Sequence, residues 1–278
     1  MPQVLRRKPQ GQRTASEPSA RAERTAARKG TASFEPFAAG WACSSGGFCN
    51  SFTGFVMMSS ELDAIFQEYE QLAAQAEQLF NRVKEQFPEE VACSTGCSSC
   101  CHASFDLSLV EAMYLNRAFN KEFGFGIRRS AVLQAASDAD RQLTRLKHHY
   151  FKQAKSGMSD EEIMVEAAKE RVRCPLLGLD QTCLLYEHRP ITCRLYGVPT
   201  SIHGKAHVCG QCGFKQGGSY PTVALDRIQD RLADMSRRIG TVVGSRFREL
   251  HRVYVPVSMA LVTKYDDAYL GVGPAPKE

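Results

Sequence analysis

The sequence has no apolar run long enough to cross a bilayer. Its longest, Val253 to Val262, is interrupted by Pro256 and Ser258, and a spanning helix needs about 20 apolar residues. Neither candidate start is followed by an apolar stretch and a small-residue cleavage site, so no secretory signal is read. Tryptophan occurs once, at Trp41, and no cysteine falls between Cys101 and Cys174. Familiar catalytic patterns are also missing. There is no G-x4-G-K-[ST] run, no H-E-x-x-H and no G-x-S-x-G. Gly124-x-Gly126 lacks a third glycine and a preceding strand, and no histidine opens the H-x-E of a zinc deaminase. These absences argue against a membrane protein, a phosphate-loop enzyme, a zinc protease and a serine hydrolase. A cytoplasmic location is expected.

The charge is uneven. The chain of 278 residues carries a formal net charge of +5. Eight basic residues against three acidic ones lie between Met1 and Met58, and the remaining 220 residues balance at 27 of each sign. The excess therefore belongs to a leader, residues 1–56, rich in Arg, Ala, Ser, Thr, Gly and Pro and without helical or strand period. The leader reads as disordered, or as the product of an upstream start codon with the true start at Met57 or Met58; a basic tail or transit peptide is the rival reading. Residues 57–278 are expected to form the working domain. With that body neutral, no nucleic-acid or membrane partner is expected.

Period and caps predict a mainly α protein with little or no β, a single helical domain with cysteine-rich irregular loops. Leu62, Ile65, Phe66, Tyr69, Leu72, Ala76, Leu79, Phe80 and Val83 recur at helical steps from Ser60 to a stop at Pro88. Further helices are expected from Ser108 to Phe119 with Glu111 three residues after the cap, from Arg129 to Lys155, and from Ser159 to Val172. A long one should follow Pro221 and extend toward Arg252, and a short one should lie near Val257–Tyr265. The best strand candidate is Leu184–Tyr186.

The cysteines fall into blocks. Cys93-x3-Cys97-x2-Cys100-Cys101 is followed by Cys174-Pro175, Cys183 and Arg189-Pro190-x2-Cys193-Arg194, and then by His203-x3-His207-x-Cys209-x2-Cys212. Thiolates two or three residues apart converge on one centre when the turn between them is tight, and Gly96 permits such a turn. Four thiolates bind zinc or hold an iron–sulfur cluster. Adjacent Cys100 and Cys101 diverge, so they serve two centres or one of them stands aside. Arg189-Pro190 is expected to open a short helix that carries Cys193 inward. Arg173, Arg189 and Arg194 would offset thiolate charge. Tyr186 and Arg189 are expected to orient the loop or donate hydrogen bonds to sulfur. His203 and His207 are weaker ligand candidates.

These residues resemble the YkgJ-like, or CxxCxxCC-domain, family of zinc- or iron-chelating proteins. The match is the Cys93–Cys101 block, Cys174-Pro175, Cys183 with Tyr186 three residues on, and Arg189-Pro190-x2-Cys193-Arg194, within about residues 90–215. The resemblance implies a shared metal or iron–sulfur core but not one reaction. Spacing, together with this family resemblance, ranks Cys97, Cys100, Cys183 and Cys193 first as ligands, then Cys93, Cys101, Cys174 and Cys209, with Cys212 last. One branch is similar to the flagellin lysine methylases, proposed to use S-adenosylmethionine with an iron–sulfur centre.

Two functions are expected to compete. One is an iron–sulfur protein with a 4Fe-4S cluster that transfers electrons, senses oxidants or assists a modification enzyme. The other is a zinc-stabilised module whose helices bind a protein partner; an iron–sulfur-dependent protein methylase is a further alternative. Cys93-x3-Cys97-x2-Cys100 also has radical S-adenosylmethionine spacing, but it follows a long helix and no strand–helix alternation comes after it.

Overall fold

The most strongly periodic segment becomes the longest wall of the core. The structure, a computed structural model, describes residues 60–167, 169–215 and 217–273. The leader, its Trp41, Cys43 and Cys49, and the candidate starts Met57 and Met58 lie outside the described residues. Helix α1, Ser60–Gln86, buries Leu62, Ile65, Phe66, Tyr69, Leu72, Ala73, Ala76 and Val83 along one face. After the first cysteine block come β1, Asp106–Ser108, and α2, Leu109–Glu122. Helix α2 opens with a reciprocal capping box between Ser108 and Glu111. Helices α3, Ile127–Lys155, and α4, Asp160–Ala167, follow. Ser159 and Glu162 cap α4 through mutual hydrogen bonds.

The second half is built from shorter pieces. They are α5, Ile191–Leu195; β2, Thr200–Ile202; β3, Lys205–His207; β4, Val223–Ala224; α6, Leu225–Val242; β5, Tyr254–Pro256; α7, Val257–Val262; and α8, Asp267–Leu270. β1 pairs antiparallel with β5, while β2 pairs antiparallel with β3 and parallel with β4. The expectation of a mainly helical protein therefore holds, with two small sheets of short strands added.

Three boundaries and one strand differ from expectation. Helix α4 ends at Ala167 because the chain leaves it to run beside the first cysteine block, where Val172 N–H donates to His102 O at 3.2 Å. Helix α6 ends at Val242, not near Arg252, because Gly244 turns left-handed (φ 64°) and Ser245 N–H closes on Gly240 O. Helix α7 stops at Val262; the Asn116 amide takes the carbonyls of Ala260, Leu261 and Thr263. Leu184–Tyr186 is not a strand. An isolated bridge pairs Leu177 with Cys183 just before it, and Tyr186–His188 already coils into a 3-10 turn.

Helix α2 separates two apolar clusters. On one side Leu109, Val110 and Met113 join the buried face of α1, Ile191 and Leu195 of α5, and Ile228, Leu232, Met235 and Ile239 of α6. On the other, Leu115 and Phe119 meet Val132 and Ala136 of α3, Ala260 and Leu261 of α7, and the loop residues Leu176 and Leu185. The second cysteine block is thus anchored in both clusters, by Leu176 and Leu185 in one and by Ile191 and Leu195 in the other. Each fully buried leucine or isoleucine contributes about 1.5–3 kcal/mol, so this irregular loop is held as firmly as a helix.

Candidate metal centre

The cysteine blocks meet along backbone contacts. Gly96, at φ 86°, lets Cys97 N–H close a turn on Ser94 O. Ser99–His102 then forms a 3-10 turn that presents Cys100 and Cys101. Cys174 N–H donates to Cys101 O at 2.7 Å, which locks the start of the second block beside the end of the first. A hairpin over Leu176–Leu184 returns Cys183, closed by Gly178 N–H to Thr182 O at 2.8 Å and Leu184 N–H to Leu176 O at 2.8 Å. Pro190 caps α5, which carries Cys193, as the Arg-Pro reading expected.

The result is a cavity of about 650 Å³ whose wall includes Cys93, Cys97, Cys100, Cys101, Cys174, Cys183 and Cys193. Cys209 and Cys212 stand outside that wall. The Cys100 and Cys101 sulfurs are 3.9 Å apart. That contact lowers the Cys100 thiol pKa, because Cys101 donates to it, and raises that of Cys101.

Within this set burial and neighbouring thiols raise most of the thiol pKa values. Burial pushes the Cys193 thiol well up, and the adjacent thiols of Cys100, Cys174 and Cys183 push it further. Burial also holds Cys174 up at about 12. Burial raises Cys93 to about 12, and the thiols of Cys212, Cys97, Cys209 and Cys100 add to the rise. The Cys93 sulfur contacts Tyr196 O at 3.5 Å, and the Cys212 sulfur contacts Gly197 O at 3.2 Å. These two thiols therefore contact successive carbonyls of one turn. The Cys209–Cys212 turn, closed by Cys212 N–H to Cys209 O at 3.0 Å, is tied to the chain before Cys93 by Gly213 N–H to Glu90 O at 2.8 Å. Cys97, ranked with Cys100, Cys183 and Cys193, lines the same cavity as those three.

The arginines are organised by a residue that spacing did not reveal. Glu77 of α1 accepts from Arg189 at 2.7 and 2.8 Å and from Arg194 at 3.1 Å. Both guanidinium groups are only 11% exposed, so this is a largely buried triad with one positive charge in excess beside the thiols. Arg189 stacks on the Tyr186 ring at 3.8 Å. Arg194 also holds the carbonyls of Arg189 and Glu187. Their hydrogen bonds within the protein end on Glu77 and on backbone, so both residues orient the loop, and Arg189 keeps its Nε toward the cavity wall without a partner. Arg173 also orients the loop, donating to Leu177 O and Gly178 O at 2.9 and 3.0 Å. Buried Glu111 was legible as a cap; it also accepts from Ile191 N–H at 3.2 Å, which fixes the start of α5 and hence Cys193. The only sequence sign of Glu77 was that two arginines beside Cys193 require a carboxylate.

The histidines stay apart. His203 is exposed and pairs with Asp226 at 3.3 Å, and His207 is exposed on β3.

No family model, curated protein or solved structure matches this chain. The likeness to the CxxCxxCC proteins rests on the cysteine and Arg-Pro motifs themselves.

The donors can be tested against the groups they suggest. As the side chains stand, no three thiol, imidazole or carboxylate groups among the described residues converge on a single ion. Tetrahedral zinc, with Zn–S bonds near 2.3 Å, needs its sulfurs about 3.8 Å apart. Thiols arrayed around a cavity suit instead a group with several metal atoms, each taking its own thiolate. Arg189 adds a second indication. It lines the cavity, and its Nε is buried without a protein partner, whereas buried donors are nearly always satisfied. An anionic thiolate-bound cluster is the kind of group that would satisfy it.

Proposed function

We propose that this chain is an iron–sulfur protein whose cluster, of the 4Fe-4S type, is held in the cavity by Cys100, Cys174, Cys183 and Cys193, with Cys101 beside them. The observation that carries the reading is the convergence of thiols from three separated segments on one cavity that also holds an unsatisfied guanidinium N–H. When bound, such a cluster takes up or releases single electrons. The protein's own residues bring the thiols together, shield them and balance their charge. Leu176, Leu185, Ile191 and Leu195 fix the loops. The net positive charge of the Arg189–Glu77–Arg194 triad offsets thiolate charge. Tyr186, lying over Arg189, covers that guanidinium from one side.

The role follows the same chemistry: electron transfer, oxidant sensing or support of a modification enzyme in a reducing, cytoplasmic setting. Among the described residues no helix is long and apolar enough to cross a membrane. The test is the iron, zinc and acid-labile sulfide content of anoxically purified protein, with its visible absorption. Iron and sulfide in equal amounts, lost in Cys193→Ser, support the reading. Colourless protein with stoichiometric zinc and no sulfide overturns it.

A further inference from the structure

The outer face of α3 carries a charge pattern that the fold itself does not use. The chain after Met58 is neutral, with 27 residues of each sign, yet residues 141–158 hold five basic side chains and no acidic one. Val132, Ala136 and Ala139 form the buried face of α3, and Leu143, Leu146, Tyr150 and Gln153 continue it half-buried. Arg141, Arg145, His148, Lys152 and Lys155 follow one another at steps of four, three, four and three, so they share the opposite face. All five are exposed, and at 1.5 Å per residue the stripe is about 21 Å long.

Helix electrostatics explain only part of it. Lys152 and Lys155, in the last turn, suit the negative end of the helix dipole. Arg141 and Arg145 lie too far back to gain from it, and like charges three or four residues apart repel. Arg141 is paired with Asp138. No carboxylate among the described residues pairs with Arg145, Lys152 or Lys155. Glu161, Glu162 and Glu166 of α4 bond Lys205, Ser159 and Lys169 instead. Phe151 is 56% exposed and lies under the Lys155 ammonium at 4.5 Å, which gives the stripe an apolar edge. Unpaired cations beside an exposed aromatic ring complement an acidic protein surface with an apolar centre.

The opposite side of the same helix indicates which kind of protein. Ala139 and Leu143 line the cysteine cavity, and Arg141 and Arg145 lie across the helix from them. A helix is about 10–12 Å across with its side chains, so a partner on the stripe is one helix away from the cavity. We propose that the outer face of α3 docks an acidic one-electron carrier protein that exchanges electrons with the group in the cavity. The docking face stands on the stripe alone, while the choice of an electron carrier rests on the iron–sulfur reading. On contact the reduced carrier loses one electron and this protein gains one, with no bond formed or broken. The stripe steers the encounter, and salt screens that steering.

The probe is a flavodoxin of net negative charge, titrated at low salt into the anoxically purified full chain and followed by calorimetry. Arg145→Gln/Lys152→Gln/Lys155→Gln is compared with Lys121→Gln/Arg237→Gln/Arg252→Gln, which loses the same three charges from exposed sites elsewhere. Wild type should bind, more weakly as salt is raised. The stripe variant should weaken binding on the order of tenfold and flatten the salt dependence, and the control should weaken it by less than about twofold. In stopped flow, electron uptake from the reduced flavodoxin should slow in the stripe variant alone. Equal weakening in both variants, or no binding by wild type at low salt, overturns the docking face. So does a stripe that binds a duplex oligonucleotide but not the flavodoxin. Stripe-dependent binding to a protein that carries no iron or sulfide upholds the docking face while removing the proposed cluster. Should the stripe variant fold poorly, zero-length cross-linking of the wild type decides. Flavodoxin carboxylates joined to Lys152 and Lys155 support the proposal; carboxylates joined only to lysines outside residues 141–158 refute it.

Discussion

Replacing Gly197 by alanine tests the packing of the candidate centre. Gly197 has φ 102°, in the left-handed half of backbone space, and a side chain there costs about 1–3 kcal/mol. A Cβ would also stand 2.3 Å from the Cys93 sulfur, far inside a normal contact of about 3.5–4.0 Å. The thiol must rotate away and give up Tyr196 O, at a further cost of about 0.5–1.5 kcal/mol. Gly197→Ala should therefore destabilise the reduced, metal-free protein by about 2–4 kcal/mol. Urea unfolding of the wild type, Gly197→Ala, Cys93→Ala and the double variant separates the two causes. Without the sulfur, the nearest Cys93 atom is Cβ at 3.7 Å, an ordinary contact. The Gly197→Ala penalty should then fall by about 1 kcal/mol, leaving backbone strain alone. An equal penalty in both backgrounds, or a total below about 0.5 kcal/mol, would refute the reasoning.

Three further outcomes are expected. Glu77→Ala strands two largely buried guanidinium groups, so it should cost about 2–4 kcal/mol in urea unfolding. Glu161→Ala breaks only the exposed pair with Lys205 and should change stability by less than about 1 kcal/mol. In the metal-free protein, the Cys100 thiol is lowered by donation from Cys101, while Cys93 and Cys174 are held up at about 12. A lowered thiol is ionised at a pH where a raised one remains protonated. Iodoacetamide near neutral pH should therefore label Cys100 before Cys93 and Cys174, read by peptide mass spectrometry; equal labelling of the three falsifies the order.

Much of the helical fold was legible because its signals are local. Helix α1 announces itself through nine apolar residues at three- and four-residue steps, and α2 and α4 through a serine followed three residues later by glutamate. The strands were not legible. Asp106–Ser108 is too short to show alternation, and it is a strand only because Tyr254–Pro256 lies beside it. The end of α4 was hidden for the same reason: what stops it is a contact with His102, remote in sequence. The cysteine blocks were visible as blocks, but not how they meet. The Ser99–His102 turn that presents Cys100 and Cys101 is tied to the second block by Cys174, which is remote in sequence. Glu77 looked like any other glutamate on a long amphipathic helix. Only the position of α5 makes it the partner of two arginines.

The division of the ligands between distant blocks also sets a clock on biosynthesis. Cys93, Cys97, Cys100 and Cys101 leave the ribosome first, and roughly 90 residues must follow before Cys193 appears; at about 5–20 residues per second this takes on the order of 5–20 s. Throughout that interval four thiols lie within nine residues, with α5 and the Cys209–Cys212 turn still unmade. The nascent chain thus offers an incomplete nest to whatever soft metal or oxidant reaches it first. On the proposed reading, correct loading would depend on the metal arriving after the last ligands, or on a partner that guards the first four.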